Sequence, residues 1–133
     1  MIPDTEPILA TDPALQDVLD ELVRREPIFH REEFGRTTAD FENMTVSDFW
    51  EVGASGRRYS RQIVLDELEK RYSGPYSDEW ETMGFHCRKL AGDVYLLTYT
   101  LIQDKQRVTR RSTIWQRSAE GWKIVYHQGT IVA

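Results

Sequence analysis

Two runs near the end of the chain hold most of the side chains that could do chemistry. Arg110-Arg111-Ser112-Thr113-Ile114-Trp115-Gln116-Arg117 is followed, after Ser118-Ala119-Glu120-Gly121, by Trp122-Lys123-Ile124-Val125-Tyr126-His127-Gln128-Gly129-Thr130. His127 is the candidate base, because imidazole is the side chain whose ordinary ionisation lies nearest neutral pH. Its other reading is a structural ring bonded to a neighbour, since no acid adjacent in sequence stands ready to orient it. Arg111 can grip a carboxylate or phosphate with two parallel hydrogen bonds. It can equally close an ion pair with Glu51 or Glu81, because a buried guanidinium needs some anion in either case. Trp50, Tyr99 and Trp115 are candidate walls of a ligand site, with Thr113 and Gln128 as polar lining. The same aromatics, with Tyr95, Trp122 and Tyr126, would also serve as ordinary core.

Strand parity decides which of these side chains meet. A four-residue turn at 118–121 sets Arg117 opposite Trp122, Trp115 opposite Ile124, Thr113 opposite Tyr126 and Arg111 opposite Gln128. Arg111, Thr113, Trp115 and Gln128 then share one face, and Ser112 and His127 take the other. A three-residue turn inverts the grouping, because a slip of one residue exchanges the faces of a strand. The four-residue turn is the expectation. A face that mixes arginine and amide with indole implies a curved sheet around a partly polar hollow.

Elsewhere the chemistry thins out. His30, His86 and His127 show no paired-ligand spacing, so no metal and no cofactor are expected. The single Cys87 excludes an internal disulfide and a Cys-rich zinc site. It also alternates with His86 across a strand, which rules out a nucleophile–base pair. Arg57, Arg58 and Arg61, with Arg107 and Arg110, could meet a polyanion. Asp48, Glu51, Asp66 and Glu67 blunt that field, and 17 basic against 22 acidic residues give a net charge of −5. No nucleic-acid partner is expected. The opening Met1-Ile2-Pro3-Asp4-Thr5-Glu6-Pro7 lacks the basic start and apolar middle of a secretory leader, and no apolar run nears the ~20 residues that span a bilayer. No membrane partner is expected, and the default location is cytoplasmic.

The elements that must position these residues read from local signals. Residues 1–11 form a flexible lead-in, and 12–133 make a single domain. Asp12-Pro13 opens a helix with Leu15, Val18, Leu19, Leu22 and Val23 on one stripe, stopping before Pro27. Pro27 starts a short second helix carrying Ile28, Phe29 and Phe34, ended near Gly35. Thr37-Thr38-Ala39-Asp40 caps a third that holds Phe41 and Met44. Ser47–Val52 is a strand closed by Gly53-Ala54-Ser55-Gly56. Ser60 caps a further helix burying Ile63, Val64, Leu65 and Leu68, and Tyr72-Ser73-Gly74-Pro75 ends it. From about Trp80 the period becomes two, with strands near 80–90, 94–103, 107–117 and 122–131. Short polar links join them into an antiparallel meander, so helices first and strands afterwards give an α+β fold.

Phe49-Trp50-Glu51-Val52-Gly53-Ala54-Ser55-Gly56 with Tyr59-Ser60-Arg61, then Arg111-Ser112-Thr113-Ile114-Trp115, then Tyr126-His127-Gln128-Gly129-Thr130, occur in an order that resembles the nuclear transport factor 2-like (NTF2-like) superfamily. Within it the chain is most similar to the SnoaL-like branch also called domain of unknown function 4440. The likeness runs from about Leu15 to Thr130. It implies a cone of helices packed on a strongly curved antiparallel sheet, an open-ended pocket, and homodimers formed through the outer sheet face. Members include isomerases, dehydratases, cyclases, epoxide hydrolases, adaptors and immunity proteins, so the fold alone does not choose a reaction. The Tyr with two Asp of ketosteroid isomerases finds no match, and neither does the Asp–Arg–Asp set of epoxide hydrolases. The sheet's acids, Glu79, Glu81, Asp93 and Asp104, sit near strand ends or turns. The leading expectation is a dimer that binds a small, partly apolar ligand through Trp50, Tyr99, Arg111, Thr113, Trp115, His127 and Gln128. The alternatives are a lyase or isomerase on a small carbonyl compound, with His127 as base and Arg111 steadying an enolate, and a protein-binding module that caps a basic partner.

Overall fold

A computed structural model describes residues 5–133; positions 1–4 of the expected lead-in lie outside the described residues. Asp12 accepts a hydrogen bond from the Ala14 amide at 2.9 Å, and one 3-10 turn over Pro13–Leu15 leads into α1, Gln16–Arg25. Its stripe buries Val18 and, completely, Leu22. The expected second helix at Pro27 is instead two 3-10 turns, Ile28–His30 and Glu32–Phe34. Arg31 between them is extended, and each piece is too short to repay the cost of starting an α-helix. α2, Thr38–Asn43, opens on the full reciprocal cap: Thr37 accepts from the Asp40 amide and Asp40 accepts from the Thr37 amide.

β1 is Thr45–Val52, and β2, Arg58–Ser60, folds back on it where the sequence reads as a loop. Ser60 then caps α3, Arg61–Tyr72, through the Ile63 amide. The meander follows as β3 Trp80–Ala91, β4 Val94–Gln103, β5 Arg107–Ser118 and β6 Gly121–Ile131. The sheet order is β2-β1-β6-β5-β4-β3. β1 and β6 run parallel, so the sheet is mixed and not wholly antiparallel as expected. The cause is topological: α3 and four strands, β2 to β5, intervene before the chain returns to the side of β1, and no hairpin dictates the direction there. Two irregularities bend the strands. Gly84 and Phe85 bulge from β3 between the pairs Met83–Thr100 and His86–Thr98, and Val125 is the extra residue of β6 between Ile124 and Tyr126.

The helices cover the concave face of the sheet. Leu22, Phe41, Leu65 and Leu68 pack toward Phe49, Leu97, Leu101, Trp115 and Ile124, all buried. The most unusual member of this interior is Glu26, immediately after α1 and only 2% exposed. Its carboxylate accepts from the Ile28 amide at 3.0 Å, the Tyr99 hydroxyl at 3.0 Å and Trp115 Nε1 at 3.2 Å. One side chain thus ties the end of α1 to β4 and β5. Buried charge is tolerated only where donors replace the lost water, and here three do.

Removal of those acceptors has a calculable cost. Glu26→Ala strands a buried phenol, an indole N–H and an amide, and is expected to destabilise the fold by roughly 3–5 kcal/mol. Glu26→Gln keeps the shape but only one acceptor oxygen, and about 1–3 kcal/mol is expected. Urea unfolding followed by tryptophan fluorescence measures both, and equal midpoints for all three proteins would show the tie to be idle.

Candidate functional site

Between α3, the 26–30 segment and the concave sheet lies a cavity of ≈ 480 Å³. Ile28, Phe29, Ile63, Val64, Leu68 and Ile124 give it apolar walls. Ile63, expected in the core, is 48% exposed and stands at this wall. Glu51, Arg111, His127, Tyr99 and Glu26 form the polar part, with His30, Tyr59, Glu67 and Arg71 completing the lining.

The bulge at Val125 decides which groups enter. The turn at 118–121 begins as expected, with Arg117 opposite Trp122 and Trp115 opposite Ile124. Beyond Val125 the register moves by one: Ile114 faces Tyr126, Thr113 faces His127, Ser112 faces Gln128 and Arg111 faces Gly129. His127 therefore joins Arg111, Thr113 and Trp115 on the concave side, and Gln128 leaves it. The expected grouping of Gln128 with Arg111, and of His127 with Ser112, is overturned by one inserted residue.

The other candidates fall in three places. Tyr99, Arg111 and His127 line the cavity. Thr113 and Trp115 are fully buried beneath it and contribute support instead of surface; the Thr113 hydroxyl is buried without a partner among the described residues. Trp50 and Gln128 lie on the convex face. Trp50 is 43% exposed and packs edge-on against Tyr126, its ring centroid at 4.9 Å, while Tyr126 donates to Gln128 at 2.7 Å. The aromatic wall expected at Trp50 is absent because Trp50 is paired with Tyr126 in β6, and the pair turns outward together.

Arg111 is the anchor of the polar end. Its Nε donates to Thr109 at 2.8 Å and one terminal nitrogen reaches Gln103 at 3.5 Å. The guanidinium lies against Gly129, where a Cβ would stand 3.3 Å from its central carbon. Among the described residues it forms no ion pair: Glu51 shares the cavity without closing on it, and Glu81 is exposed on β3. Burial lowers the proton affinity of the guanidinium, which nevertheless stays charged at any ordinary pH.

Its neighbours are tuned by the same burial. The Glu51 carboxyl is pushed up, first by loss of water, with Arg111 and Arg71 pulling the other way. Burial, then Glu26 beside it, holds the Tyr99 phenol well above its usual range, so it remains protonated. His127 is pushed down to about 3 by burial, with the charges of Arg111 and His30 adding to it. Its Nδ1 is buried without a hydrogen-bond partner among the described residues. No three His, Cys, Asp or Glu side chains converge on a metal-sized point among the described residues.

No protein-family profile and no curated protein matches the sequence. Solved structures do match. A protein from Streptomyces avermitilis, described as a candidate dehydratase of the NTF2-like family, superposes with TM-score 0.68 at 13% identity, over 88% of this chain and 97% of that one. A candidate ketosteroid isomerase from Parabacteroides distasonis gives TM-score 0.65 at 12% identity, covering 92% and 94%. An NTF2-like protein of unknown function in nutrient uptake from Rhodospirillum rubrum gives 0.65 at 16%, covering 88% and 98%. The chain has the NTF2-like fold. The narrower assignment to the domain of unknown function 4440 branch gains no support from these likenesses, which lie at identities where fold alone is shared. Within the NTF2-like cone, Glu26, His30 and Arg71 line the cavity although the sequence reading put none of them in a ligand site; His30 was weighed there only as a metal ligand. Glu26 carried a usable signal: an acid at the C-terminal end of a helix opposes the helix dipole, and the Pro-Ile-Phe that follows marks a buried neighbourhood.

The state of His127 has a consequence for stability. The fold keeps this ring uncharged down to about pH 3, whereas an unfolded histidine takes its proton near ~6.5. Below ~6.5 the unfolded chain binds the extra proton, so stability falls by up to about 1.4 kcal/mol per pH unit; above it the contribution is complete and flat. Glu51 works in the opposite sense, since its raised carboxyl binds a proton earlier in the fold than in the unfolded chain. His127→Gln is expected to flatten the loss between roughly pH 6.5 and 4, read from urea midpoints beside the parent protein.

Proposed function

We propose that the cavity binds a small, largely apolar molecule bearing one carboxylate, which seats on Arg111. The observation that carries this reading is a cavity-lining guanidinium that has hydroxyl and amide partners and, among the described residues, no carboxylate partner. An ion withdrawn from water without a counter-ion is costly unless a ligand supplies one. The size supports it: ≈ 480 Å³ suits a compact metabolite and excludes a polymer. The division of the lining supports it too, with an isoleucine–leucine–phenylalanine wall facing the charged end.

His127 suits a different task from the one its sequence position suggests. A ring that resists protonation to about pH 3 is a weak proton acceptor but a good neutral hydrogen-bonding group, able to meet a carbonyl or hydroxyl of the ligand. Two of the structural relatives are described as a candidate dehydratase and a candidate ketosteroid isomerase, and the second description names a ketone, the kind of group that such a ring could meet. We also propose that the convex sheet face joins two copies of the chain, on the strength of its partly exposed Trp50, Met83, Ile114 and Tyr126. Sedimentation of the parent protein and of Ile114→Glu checks this; a monomer for both would reject it.

The direct test of the ligand reading is calorimetry with 4-phenylbutanoate and hexanoate. Arg111→Met is expected to weaken binding by about 10- to 100-fold, the loss of roughly 1.5–3 kcal/mol typical of a charged hydrogen-bonded anchor. Affinity in the parent protein is expected to rise as pH falls, because a protonated Glu51 no longer repels the incoming carboxylate. Glu51→Gln should bind more tightly at pH 8 and lose that slope. Equal affinity for these acids and for their amides would leave Arg111 without the assigned role.

A further inference from the structure

We propose that His30 and Asp78 form a proton-transfer pair acting on the ligand held by Arg111, removing and returning a proton at a carbon beside a carbonyl group. This rests on the carboxylate-binding reading and adds turnover to it. His30 ends the 3-10 turn Ile28–His30 and lines the cavity, its side chain only 13% exposed. Its Nδ1 meets Asp78 Oδ2, contributed from 48 residues further along the chain. The same oxygen accepts from the Tyr76 hydroxyl at 2.9 Å, which holds the carboxylate in place. A carboxylate accepts hydrogen bonds, so the neutral ring carries its hydrogen on Nδ1 and leaves the Nε2 lone pair free. Nε2 makes no hydrogen bond to any described residue. A ring steered by an acid, with its other nitrogen free at a cavity, is the base–orienter arrangement of acid–base catalysis.

The contrast with His127 makes the assignment. Among the described residues His127 has no acid bonded to its ring and an unpartnered, buried Nδ1. His30 has the acid that the sequence around His127 lacks. The groups facing His30 are Asp78 and Tyr76 from the segment before β3, Arg71 from α3, and Arg111 and His127 from the sheet. Burial and the positive charge of Arg71 lower its proton affinity, while Asp78 works against them, so the ring is neutral and able to accept at pH 7. Arg111, His127 and His30 all line the same cavity, which puts anchor, polarising ring and base around one space.

The step balances without any further reactant. The C–H bond beside the carbonyl breaks and its proton moves to Nε2 of His30. The electron pair forms a carbon–carbon double bond, and the carbonyl pair moves to oxygen as an enolate. The enolate accepts from the His127 N–H, the ligand carboxylate stays on Arg111, and return of the proton from His30 completes an isomerisation or an exchange.

Exchange is the measurement. 2-Oxobutanoate and 4-phenyl-2-oxobutanoate, incubated with the full chain in D2O, are expected to lose their C3 proton signals in the NMR spectrum faster than in buffer. The rate should rise with pH through a single ionisation below that of free histidine and then level off. His30→Gln is expected to lower it by at least about 100-fold, with binding of the oxo acids retained in calorimetry. Asp78→Asn is expected to lower it less and to move the ionisation to still lower pH, a shift that a merely structural contact would not produce. Oxo acids that bind in an Arg111-dependent manner yet exchange no faster than in buffer would overturn the proton-transfer pair and leave the binding reading standing. Exchange that survives His30→Gln would do the same. Absence of binding by every acid would remove the binding reading and this inference with it.

Discussion

The buried carboxylate of Glu26 is the constraint on which the architecture depends. It lies where the first helix ends, and it takes hydrogen bonds from the amide two residues on, from a tyrosine of β4 and from a tryptophan of β5. These three donors fix the helix end against the middle of the sheet, and Pro27 then bars the helix from continuing. The chain must turn there, and the turn carries Ile28, Phe29 and His30 past the cavity. Tyr99 and Trp115 would otherwise bury a phenol and an indole N–H beneath the cavity with nothing to bond. A hydrophobic residue at position 26 could fill the volume but would leave both donors orphaned, a worse outcome than a buried carboxyl group bonded by three donors.

The hollow owes its polarity to a separate device. Without the extra residue at Val125, alternation along β6 would direct Gln128 inward beside Arg111 and His127 outward. The bulge turns the imidazole in, and Gly129, two residues later, leaves flat space for the guanidinium. Glu51 is paired with His127 across the parallel β1–β6 contact, so the same inserted residue also brings acid and imidazole to one face. The grouping of Arg111, His127 and Glu51 is therefore a property of register and not of any one strand.

Much of the frame was legible in the chain. Asp12-Pro13, the Thr37–Asp40 cap and Ser60 announced three helix starts through short-range hydrogen bonding, which depends on neighbours in sequence and hence can be read there. The change to a period of two announced the meander. What could not be read is non-local. The parallel contact between β1 and β6 joins residues 76 positions apart (Trp50 with Tyr126) and leaves no local mark. The Val125 bulge is one unremarkable β-branched residue among others, although it moves His127 from one face to the other. Trp50 was misplaced for the same reason: its face follows from a partner strand that the sequence does not name. Arg111 was weighed between a ligand contact and an ion pair with Glu51 or Glu81, and among the described residues it closes on neither acid. The pairing of His30 with Asp78 bridges 48 residues and lay beyond any spacing argument.

These pieces describe a cavity whose charged groups are held near one another without neutralising one another directly. Arg111 leans on a hydroxyl and an amide, Glu51 is pushed toward its neutral form, and His127 is kept uncharged. A core built only for stability would collapse such a space or close Arg111 onto Glu51, since unpaired ions in low dielectric cost several kcal/mol each. Retaining them apart, under a wall of isoleucine and leucine, keeps the field of the guanidinium directed into open volume. That field lowers the proton affinity of both imidazoles at once. Burial is the larger cause at each ring, and what separates the two histidines is the Asp78 carboxylate, which opposes the effect at His30 and has no counterpart at His127.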